Sequence, residues 1–382
     1  MMNKIFAKNI DEPTLKQFTD CLKEEFVIDG ALMPDAHFGY VAPIGAVLIT
    51  KDFVVPSWVG YDIGCGVTAT KISGKNILEK IKKNRKKIFD EINSNIPMGL
   101  GKLNAEHKVS KETKKDFLEL LKKLEKKEHD KELLKWLKRK ALSNLGTLGH
   151  GNHFIEIDYY KDEVWLIIHS GSRHVGHRIA GHYMKKAMEL QNATGNAERT
   201  FAIKTNSILG KEYLNILDFC LEFALLNRIE MTKNVLNIIE LILNEKLKWN
   251  IWTNKNHNHA ERIGKTNKFI HRKGATPSKK GEKGVIPANM RDGCYLVIGK
   301  GNKDFLESSS HGAGRSMSKR QAKETINLTE FQKTMRGITA TIENKTIDES
   351  PFAYKKIDEV MKAQEKSIKI LKKLKPIINC KG

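Results

Sequence analysis

The sequence lacks the features of a secreted or membrane-spanning protein. Its five cysteines are odd in number, lie far apart and include no CxxC pair, so neither a disulfide framework nor a zinc ribbon is expected. The N-terminal MMNKIFAKNIDEP has no long apolar segment, and no apolar run approaches the roughly 18 residues of a membrane span. We therefore expect a cytoplasmic protein that does not enter a membrane.

Two common nucleotide-binding loops are missing as well. There is no Rossmann fingerprint, and the Gly264-Lys265-Thr266 triplet is not a Walker A loop, because His259 stands where its partner glycine should be. A bound nucleotide would need another architecture. The chain shows no internal repeat, low-complexity linker or clear domain boundary, so we expect residues 1–382 to form a single domain.

Positive charge is in clear excess, with 67 Lys and Arg against 45 Asp and Glu, a net charge of +22. Such an excess favours a polyanionic partner, because basic side chains that neutralise phosphates release counterions. Nucleic acid is the leading candidate and an anionic membrane surface the second. The lysine-rich stretch from Lys75 to Lys140 is better explained by solvated helix faces, since acidic residues are interspersed there.

The apolar pattern changes between strand and helix along the chain. Strands are predicted in AVLIT, FVVPSWV, NHFIEI (Asn152 to Ile157), VWLIIHS (Val164 to Ser170), the run Lys268 to Gly274 and IPANMRDGCYLVIGKGN. Helices are predicted from Lys75 to Lys140, as a hairpin from Lys211 to Trp249, and from Ile357 to Leu371 with an end before Pro376. We expect a compact α+β fold with mixed sheets surrounded by helices and a site in a cleft between sheet ends.

Aspartate, cysteine and histidine recur in glycine-rich loops and at strand ends. GYDIGCGV carries Asp62 and Cys65, GHGNHFIEI carries His150 and His153, LIIHSGSRHVGH carries His169, and NKNHNHAERI carries His257 and His259. Each alone is more often an ordinary core or surface residue, but strand-end side chains can converge across a sheet. The set Asp62, Cys65, His153, His169 and His257 could hold two ions that share the thiolate, and ligand softness alone favours zinc.

Phosphate-binding patterns lie beside these loops. SGSRH and GAGRS place small residues before Arg173 and Arg315, and backbone amides in such turns can bind phosphate oxygens while the arginine pairs with them. FIHRKGATPSKKGEKG has the same character at Arg272 and Lys273. Each is also compatible with an ordinary glycine turn. The segment SSSHGAGRSMSKR adds a histidine, His311, just before one of these turns.

Taken together, these stretches resemble the RtcB family of RNA ligases. The motifs occur in the family's order from about Met33 to Gly382: MPDAHFGY, VGYDIGCG, LGTLGHGNHFIEI, IIHSGSRHVG, NHNHA, HRKGAT, SSHGAGR, AYKKIDEVM and CKG. The resemblance implies an RtcB-like fold and a GTP- and manganese-dependent ligase that joins RNA 2',3'-cyclic phosphate or 3'-phosphate ends to 5'-hydroxyl ends. The alternatives are a dinuclear-metal phosphoesterase that opens cyclic phosphates without ligation, and a non-catalytic RNA-binding protein.

The resemblance also implies residue roles. Two Mn²⁺ ions, instead of zinc, would be held by Asp62, Cys65, His153, His169 and His257, with Cys65 as the bridge. His311 would be the nucleophile that becomes guanylylated, and Asp35 and His37 would lie near the metals. GTP would contact Asn152, Glu156, Ala288, Asn289, Met290, His311, Gly312, Ala313, Gly314, Tyr354 and Lys381. RNA phosphates would meet Arg173, Arg272, Lys273 and Arg315, and an archease-type activator is a possible partner.

The chain departs from the family's usual pattern at several positions. Where IPGSMG is expected it has Ile286-Pro287-Ala288-Asn289-Met290-Arg291, and Cys294 replaces a common serine. That loop lines the nucleotide site in the family, so guanine selectivity and turnover depend on residues that this chain has altered. His150 stands where small residues are usual, and His174 replaces a glycine.

Overall fold

Strands and helices follow one another irregularly in the computed structural model, which describes residues 4–382. The strands are β1 (Lys4–Ile5), β2 (Val27–His37), β3 (Ile44–Lys51), β4 (Phe53–Val54), β5 (Gly66–Ser73), β6 (Phe154–Tyr160), β7 (Glu163–Ser170), β8 (Ile203–Lys204), β9 (Lys248–Asn256), β10 (Asn258–Arg262), β11 (Lys268–Lys273), β12 (Ala275–Pro277), β13 (Lys283–Pro287), β14 (Cys294–Gly299), β15 (Ser308–Ser310), β16 (Thr339–Ala340), β17 (Ile368–Lys373) and β18 (Lys375–Lys381). The helices are α1 (Glu12–Leu22), α2 (Pro56–Val59), α3 (Ile77–Asn95), α4 (Lys111–Glu125), α5 (Lys131–Lys140), α6 (Arg173–Leu190), α7 (Ile208–Leu243), α8 (Lys319–Thr325), α9 (Leu328–Thr334) and α10 (Ile357–Ala363). Short 3-10 turns span Glu106–Lys108, Leu142–Asn144, Asn344–Glu349 and Pro351–Ala353.

Two larger sheets organise the molecule. One has six strands in the order β16-β18-β6-β7-β5-β9, and the other has five in the order β1-β2-β3-β11-β10. Most neighbouring strands are antiparallel, whereas β1 with β2 and β16 with β18 are parallel. Smaller sheets are formed by β13-β14-β17, β12-β15 and β4-β8. The predicted α+β fold with mixed sheets and surrounding helices is confirmed, as are the strands within NHFIEI and VWLIIHS.

The six-stranded sheet buries one face against α3 and α7. On α3, Ile77, Ile81, Ile88 and Ile92 recur at intervals of four or seven residues on one side of the helix and pack with sheet residues such as Ile155. Fully burying one such side chain stabilises the fold by roughly 1.5–3 kcal/mol. The lysines of α3 lie on its other faces, so the prediction of solvated helices between Lys75 and Lys140 is confirmed in α3, α4 and α5.

The predicted helical hairpin from Lys211 to Trp249 is wrong. A single helix of 36 residues, α7, covers Ile208–Leu243 and is followed by strand β9. No glycine or proline interrupts the sequence from Lys211 to Leu243, so nothing forces a turn. At 1.5 Å per residue the helix is about 54 Å long. It therefore reaches two separate apolar clusters, one at Phe223 and the other at Ile239.

The predicted helix from Ile357 to Leu371 is correct only in its first half. Helix α10 ends at Ala363, residues 364–367 form a turn, and β17 begins at Ile368 and pairs with β14. The sequence between Met361 and Ile368 contains only one apolar residue, Ala363, so the helical stripe is interrupted there and pairing with β14 prevails. Pro376, expected to follow a helix, lies inside β18.

The strand predicted in FVVPSWV is likewise short. Only Phe53–Val54 pairs in a sheet, whereas Pro56 begins helix α2. Proline is tolerated in the first turn of a helix because the N–H groups there have no partner within the helix. Within the described part of the chain, no helix is both long and apolar enough to cross a membrane.

Candidate active site

Five potential metal ligands come together at one edge of the six-stranded sheet. Asp62 and Cys65 lie in the turn before β5, His153 directly precedes β6, His169 lies near the end of β7, and His257 follows β9. Strand register explains the convergence, because His169 pairs with both Phe154 on β6 and Val67 on β5. The His257 N–H also donates to the Cys65 carbonyl over 2.7 Å.

The ligand atoms of this set face one another at short range. The Cys65 Sγ lies 3.3 Å from His153 Nε2 and 3.2 Å from His169 Nε2. His169 Nε2 lies 3.2 Å from His257 Nε2, and His153 Nε2 lies 2.9 Å from an Asp62 carboxylate oxygen. The thiol and the three imidazoles are buried. The five residues predicted from the sequence are therefore brought together.

The donor set fits a metal cation. His169 Nδ1 lies 3.1 Å from the Asn152 carbonyl, so this Nδ1 carries the proton and Nε2 presents a lone pair. His153 Nδ1 lies 3.0 Å from the Leu148 carbonyl and 3.2 Å from Arg173 Nη1. Burial lowers the pKa of His169 and His257 well below its usual value, which keeps both rings neutral. Lone pairs, a thiol and a carboxylate that converge in this way repel one another unless a cation lies among them.

Helix α7 fixes the backbone that carries these ligands. Arg228, fully buried in its middle, donates from Nη1 to the carbonyls of Gly64 (3.0 Å) and Ser170 (2.8 Å). These carbonyls immediately precede Cys65 and follow His169. Gly64 has φ +73°, and a Cβ there would lie 2.7 Å from Ala224 on α7, so helix and ligand turn are in direct contact.

His311 lies beside this set with one ring nitrogen occupied. Its Nδ1 lies 2.6 Å from an oxygen of the fully buried Asp35, which also accepts the backbone N–H of His311 at 3.1 Å. Burial opposes ionisation of Asp35, but the neighbouring His311 outweighs it and lowers the pKa of that carboxyl. Because a carboxylate oxygen can only accept, Nδ1 of His311 carries the proton of this hydrogen bond, and in the neutral ring the lone pair is on Nε2.

The surroundings of His311 leave room for a reactant. Its ring centroid lies 4.9 Å from that of His257 and 6.4 Å from that of His37. A Cβ at Gly274, which has φ +61°, would lie 3.1 Å from the His311 ring, so a larger residue would crowd the imidazole. His311, His37 and His257 all line one cavity of about 370 Å³.

A buried carboxylate cluster closes the far side of this cavity. Glu156 accepts hydrogen bonds from the Asn379 amide and from the Cys294 thiol, the latter over 3.3 Å. Asp158 lies in the same cluster, and neither of its oxygens has a donor among the described residues. Burial, then repulsion from Glu156, raises the pKa of Asp158. We infer that Asp158 holds a proton and Glu156 is the carboxylate of the pair.

A second buried carboxylate, Glu349, joins three residues from different parts of the chain. One oxygen accepts from Lys381 Nζ at 2.6 Å and from the Tyr354 hydroxyl at 2.5 Å. The other lies 3.3 Å from Arg315 Nη1, whose guanidinium is 5.5 Å from the Tyr354 ring centre. Glu349 thereby positions Lys381, Tyr354 and Arg315 along one wall of the cavity.

All eleven residues predicted to contact the nucleotide line the cavity. They are Asn152, Glu156, Ala288, Asn289, Met290, His311, Gly312, Ala313, Gly314, Tyr354 and Lys381. The candidate metal ligands Asp62, Cys65, His169 and His257 line it too, whereas His153 is not among the lining residues. One cavity thus brings together the His311 imidazole, most of the candidate metal ligands and polar groups such as Glu156 and Lys381.

A family model described as tRNA-splicing ligase RtcB matches residues 19–382. The chain belongs to the RtcB family. Curated relatives match over nearly their full length. The RNA-splicing ligase RtcB1 of Escherichia coli is 29% identical over 407 residues, which cover 99% of this chain and 97% of the relative. The tRNA-splicing ligase RtcB of Nanoarchaeum equitans is 29% identical over 450 residues, covering 100% and 94%. That of Methanococcus maripaludis is 28% identical over 455 residues, covering 100% and 94%.

The cationic residues expected to bind RNA in this RtcB-family chain lie in different settings. Lys273 and Arg315 line the cavity, and burial lowers the pKa of Lys273 to about 8. Arg173 is partly exposed, with Nη1 3.2 Å from the His153 ring. Arg272 is 1% exposed and binds Glu261 at 2.7 Å and the Ser308 hydroxyl at 2.8 Å, so it is not brought to the cavity.

The altered loop keeps a defined turn next to the RtcB-like cavity. Asn289 accepts the N–H groups of Arg291 and Asp292 through its side-chain oxygen, both at 3.0 Å, and donates to the Asp292 carboxylate at 2.8 Å. At the position where the family pattern has serine, the Asn289 amide therefore makes three hydrogen bonds within the loop. Ala288 adds only a methyl group at the cavity wall.

Several residues of the site were not predicted. Glu349 and Asn379 could not be found, because a lone carboxylate or amide has no spacing that marks it as buried. Arg228 is one cation in a long amphipathic helix and looks like a surface residue. Asp35 was placed near the metals, but its contact with His311 depends on residues 276 positions apart in sequence.

Proposed function

We propose that the chain is an RNA ligase that joins 2',3'-cyclic phosphate or 3'-phosphate ends to 5'-hydroxyl ends through a covalent His311–GMP intermediate. The observation that carries this proposal is the setting of His311. Asp35 holds its Nδ1–H, so the bare Nε2 is available as a nucleophile inside a cavity that metal ligands and base-recognising groups also line. The names of the relatives as RNA-splicing or tRNA-splicing ligases support the same activity.

The proposed reaction uses His311 as nucleophile and leaving group in turn. Its Nε2 attacks the α-phosphorus of GTP, pyrophosphate leaves, and the ring becomes positively charged, a charge that the Asp35 carboxylate stabilises. The GMP group then passes to the RNA 3'-phosphate, which first forms by hydrolysis if the end is cyclic. Finally the 5'-hydroxyl oxygen attacks that phosphate and GMP departs, leaving a phosphodiester.

The residues around the cavity have distinct tasks in this scheme. We propose that Glu156 accepts an N–H of the guanine base, that Lys381 and Tyr354 contact the nucleoside, and that Asn152 contacts its phosphates. Lys273, Arg173 and Arg315 would bind RNA phosphates, and Arg272 stays part of that proposal although it is buried. Burial of these groups strengthens each contact, because water competes less for them.

Two Mn²⁺ ions are proposed at Asp62, Cys65, His153, His169 and His257. The Nε2 lone pair of His169, the Cys65 thiol beside it and the nearby Asp62 carboxylate form a donor set that fits a cation. When bound, the ions would supply Lewis-acid stabilisation of phosphoryl oxygens. Ligand softness favours zinc and the family favours manganese, so metal analysis of protein purified without added metal decides between them. Zinc content with zinc-dependent activity would overturn the choice of manganese.

Labelling with GTP tests the nucleophile. Wild type incubated with GTP labelled at its α-phosphate should form an acid-labile labelled protein, and His311→Ala should form none. His129→Ala is the matched control, because His129 is partly exposed and lies outside the cavity lining. The ligase proposal fails if wild type forms no adduct or if His311→Ala still forms one.

The products distinguish ligation from simple phosphoesterase activity. With RNA that carries a cyclic phosphate and a 5'-hydroxyl, the proposal predicts joined RNA that depends on GTP. A phosphoesterase would give only 3'-phosphate ends, with or without GTP. RNA binding without any turnover under these conditions would indicate a non-catalytic RNA-binding protein.

A further inference from the structure

A row of aromatic and imidazole rings leads from the cavity edge onto the protein surface. We call Tyr40, Tyr61, His177, His174 and Trp136 the aromatic row. Tyr40 and Tyr61 line the cavity, with ring centroids 6.3 Å apart. The row continues from Tyr61 to His177 at 4.6 Å, to His174 at 6.4 Å and to Trp136 at 5.7 Å. Each ring is thus next to the following one, without a gap.

The row is accessible, although its members are held in place. Tyr40 is 75% exposed, His174 and His177 are exposed, and Tyr61 and Trp136 are partly buried. His174 and His177 lie three residues apart on α6 and so share one face of that helix. The Tyr61 hydroxyl donates to Glu198 at 2.7 Å, which fixes its ring. Tyr40 does not stand alone but adjoins further accessible rings, and a contiguous accessible aromatic surface is typical of a binding site.

Packing of α5 against α6 brings Trp136 to the end of the row. Asp130 caps α5 by accepting the Leu133 N–H at 3.0 Å, and it also binds Lys186 of α6 at 2.6 Å. The buried face of α5, which includes Leu133, lies in the same apolar cluster as buried residues of α6. Trp136 is therefore placed by the fold itself.

Positive charge accompanies the far end of the row. The Arg178 guanidinium lies 4.7 Å from the Trp136 ring centre, so it adds a flat cationic surface there. Helix α5 carries five basic residues and one acidic residue, Glu132. The basic residues are Lys131, Lys135, Lys138, Arg139 and Lys140. A ligand that binds along these rings would need flat groups to stack on them and negative charge to pair with the basic side chains.

We propose that the aromatic row is the binding track for the single-stranded RNA that enters the reaction cavity. Successive bases stack on its rings, and the phosphates contact Arg178 and the basic face of α5. Single-stranded nucleic acids are commonly bound in this way, because every base has a flat face and the backbone is anionic. The inference rests on the proposed function only in taking RNA as the substrate.

Binding of short RNAs in the absence of GTP and metal tests the track. At fixed salt, fluorescence anisotropy would compare an eight-nucleotide 3'-phosphate RNA, a dinucleotide and an eight-unit abasic strand. We expect His174→Ala to weaken binding of the eight-nucleotide RNA by about tenfold, the effect of one lost base–ring stack. Binding of the dinucleotide and the abasic strand should not change, and His174→Phe, which keeps a ring, should restore the affinity.

Trp249→Ala is the control, because Trp249 is a 40% exposed tryptophan outside the row. The proposal is overturned if His174→Ala binds the eight-nucleotide RNA like wild type, if the abasic strand loses as much affinity, or if Trp249→Ala loses as much. GMP labelling of His311 should be normal in His174→Ala. Absence of labelling in wild type would instead refute the ligase proposal, so the two failures are distinguishable.

Discussion

Replacing Asp35 by asparagine should slow guanylylation of His311 without disturbing its geometry. One carboxylate oxygen of Asp35 accepts three N–H groups: His311 Nδ1–H at 2.6 Å and the backbone N–H groups of His311 and Gly312 at 3.1 and 3.3 Å. The other oxygen has no partner among the described residues. An asparagine that places its oxygen in the first position keeps all three contacts and removes only the negative charge.

The size of the effect follows from that lost charge. When Nε2 of His311 attacks phosphorus, the ring becomes cationic while its Nδ1–H still contacts Asp35. Opposite charges at about 4 Å attract by roughly 4 kcal/mol at the effective dielectric constant of a protein near its surface. Since only part of the charge has developed in the transition state, we expect a loss of about 3–4 kcal/mol, or roughly 10²- to 10³-fold in rate.

Single-turnover labelling with saturating α-labelled GTP measures this rate, and binding of a fluorescent GTP analogue measures affinity separately. Asp35→Asn should label slowly and bind the nucleotide normally. Asp29→Asn, on the same strand, should label like wild type, because its partly exposed ion pair with Lys4 contributes little. If Asp35→Asn labels at the wild-type rate, charge stabilisation by Asp35 is refuted. If it loses GTP binding instead, Asp35 shapes the loop and does not act on His311.

Two further predictions concern buried ionisable groups. Burial raises the pKa of Asp158, so this carboxyl takes up a proton on folding. Thermal unfolding should therefore show wild type gaining stability relative to Asp158→Asn as the pH falls from 8 to 5. A stability difference between the two proteins that does not vary with pH would contradict this. Burial lowers the pKa of Lys273 to about 8, so affinity for 3'-phosphate RNA should fall by roughly 10- to 100-fold as the pH rises from 7 to 10. Lys273→Met should abolish that dependence and Lys268→Met, an exposed change on the same strand, should retain it.

The convergence of the five candidate metal ligands could be predicted from sequence, because these residues stand at strand ends. Residues such as Cys65, His153 and His169 each adjoin a short apolar run, and strands of one sheet bring their ends together. The order of the strands within the sheet did not need to be known. The same local logic identified His311 as a histidine in a turn of small residues.

Contacts that depend on how distant elements dock could not be predicted. The wall built around Glu349 exists only because β18 enters the six-stranded sheet beside β6 and delivers Lys381. Neither the pairing nor the direction of the Lys381 side chain leaves a trace in local composition. The error in α7 had the opposite origin, since a 36-residue helix is unusual and a hairpin was assumed where no turn residue existed.

Helix α7 also determines how the protein should lose activity on heating. Arg228 binds the backbone next to Cys65 and His169, and it belongs to a helix whose two halves lie in separate apolar clusters. The candidate metal ligands should therefore stay in place while both apolar clusters stay packed. Unfolding of either apolar cluster would displace helix α7 and, with it, the ligands. We expect inactivation and global unfolding to occur in one step, without a folded but inactive intermediate on heating.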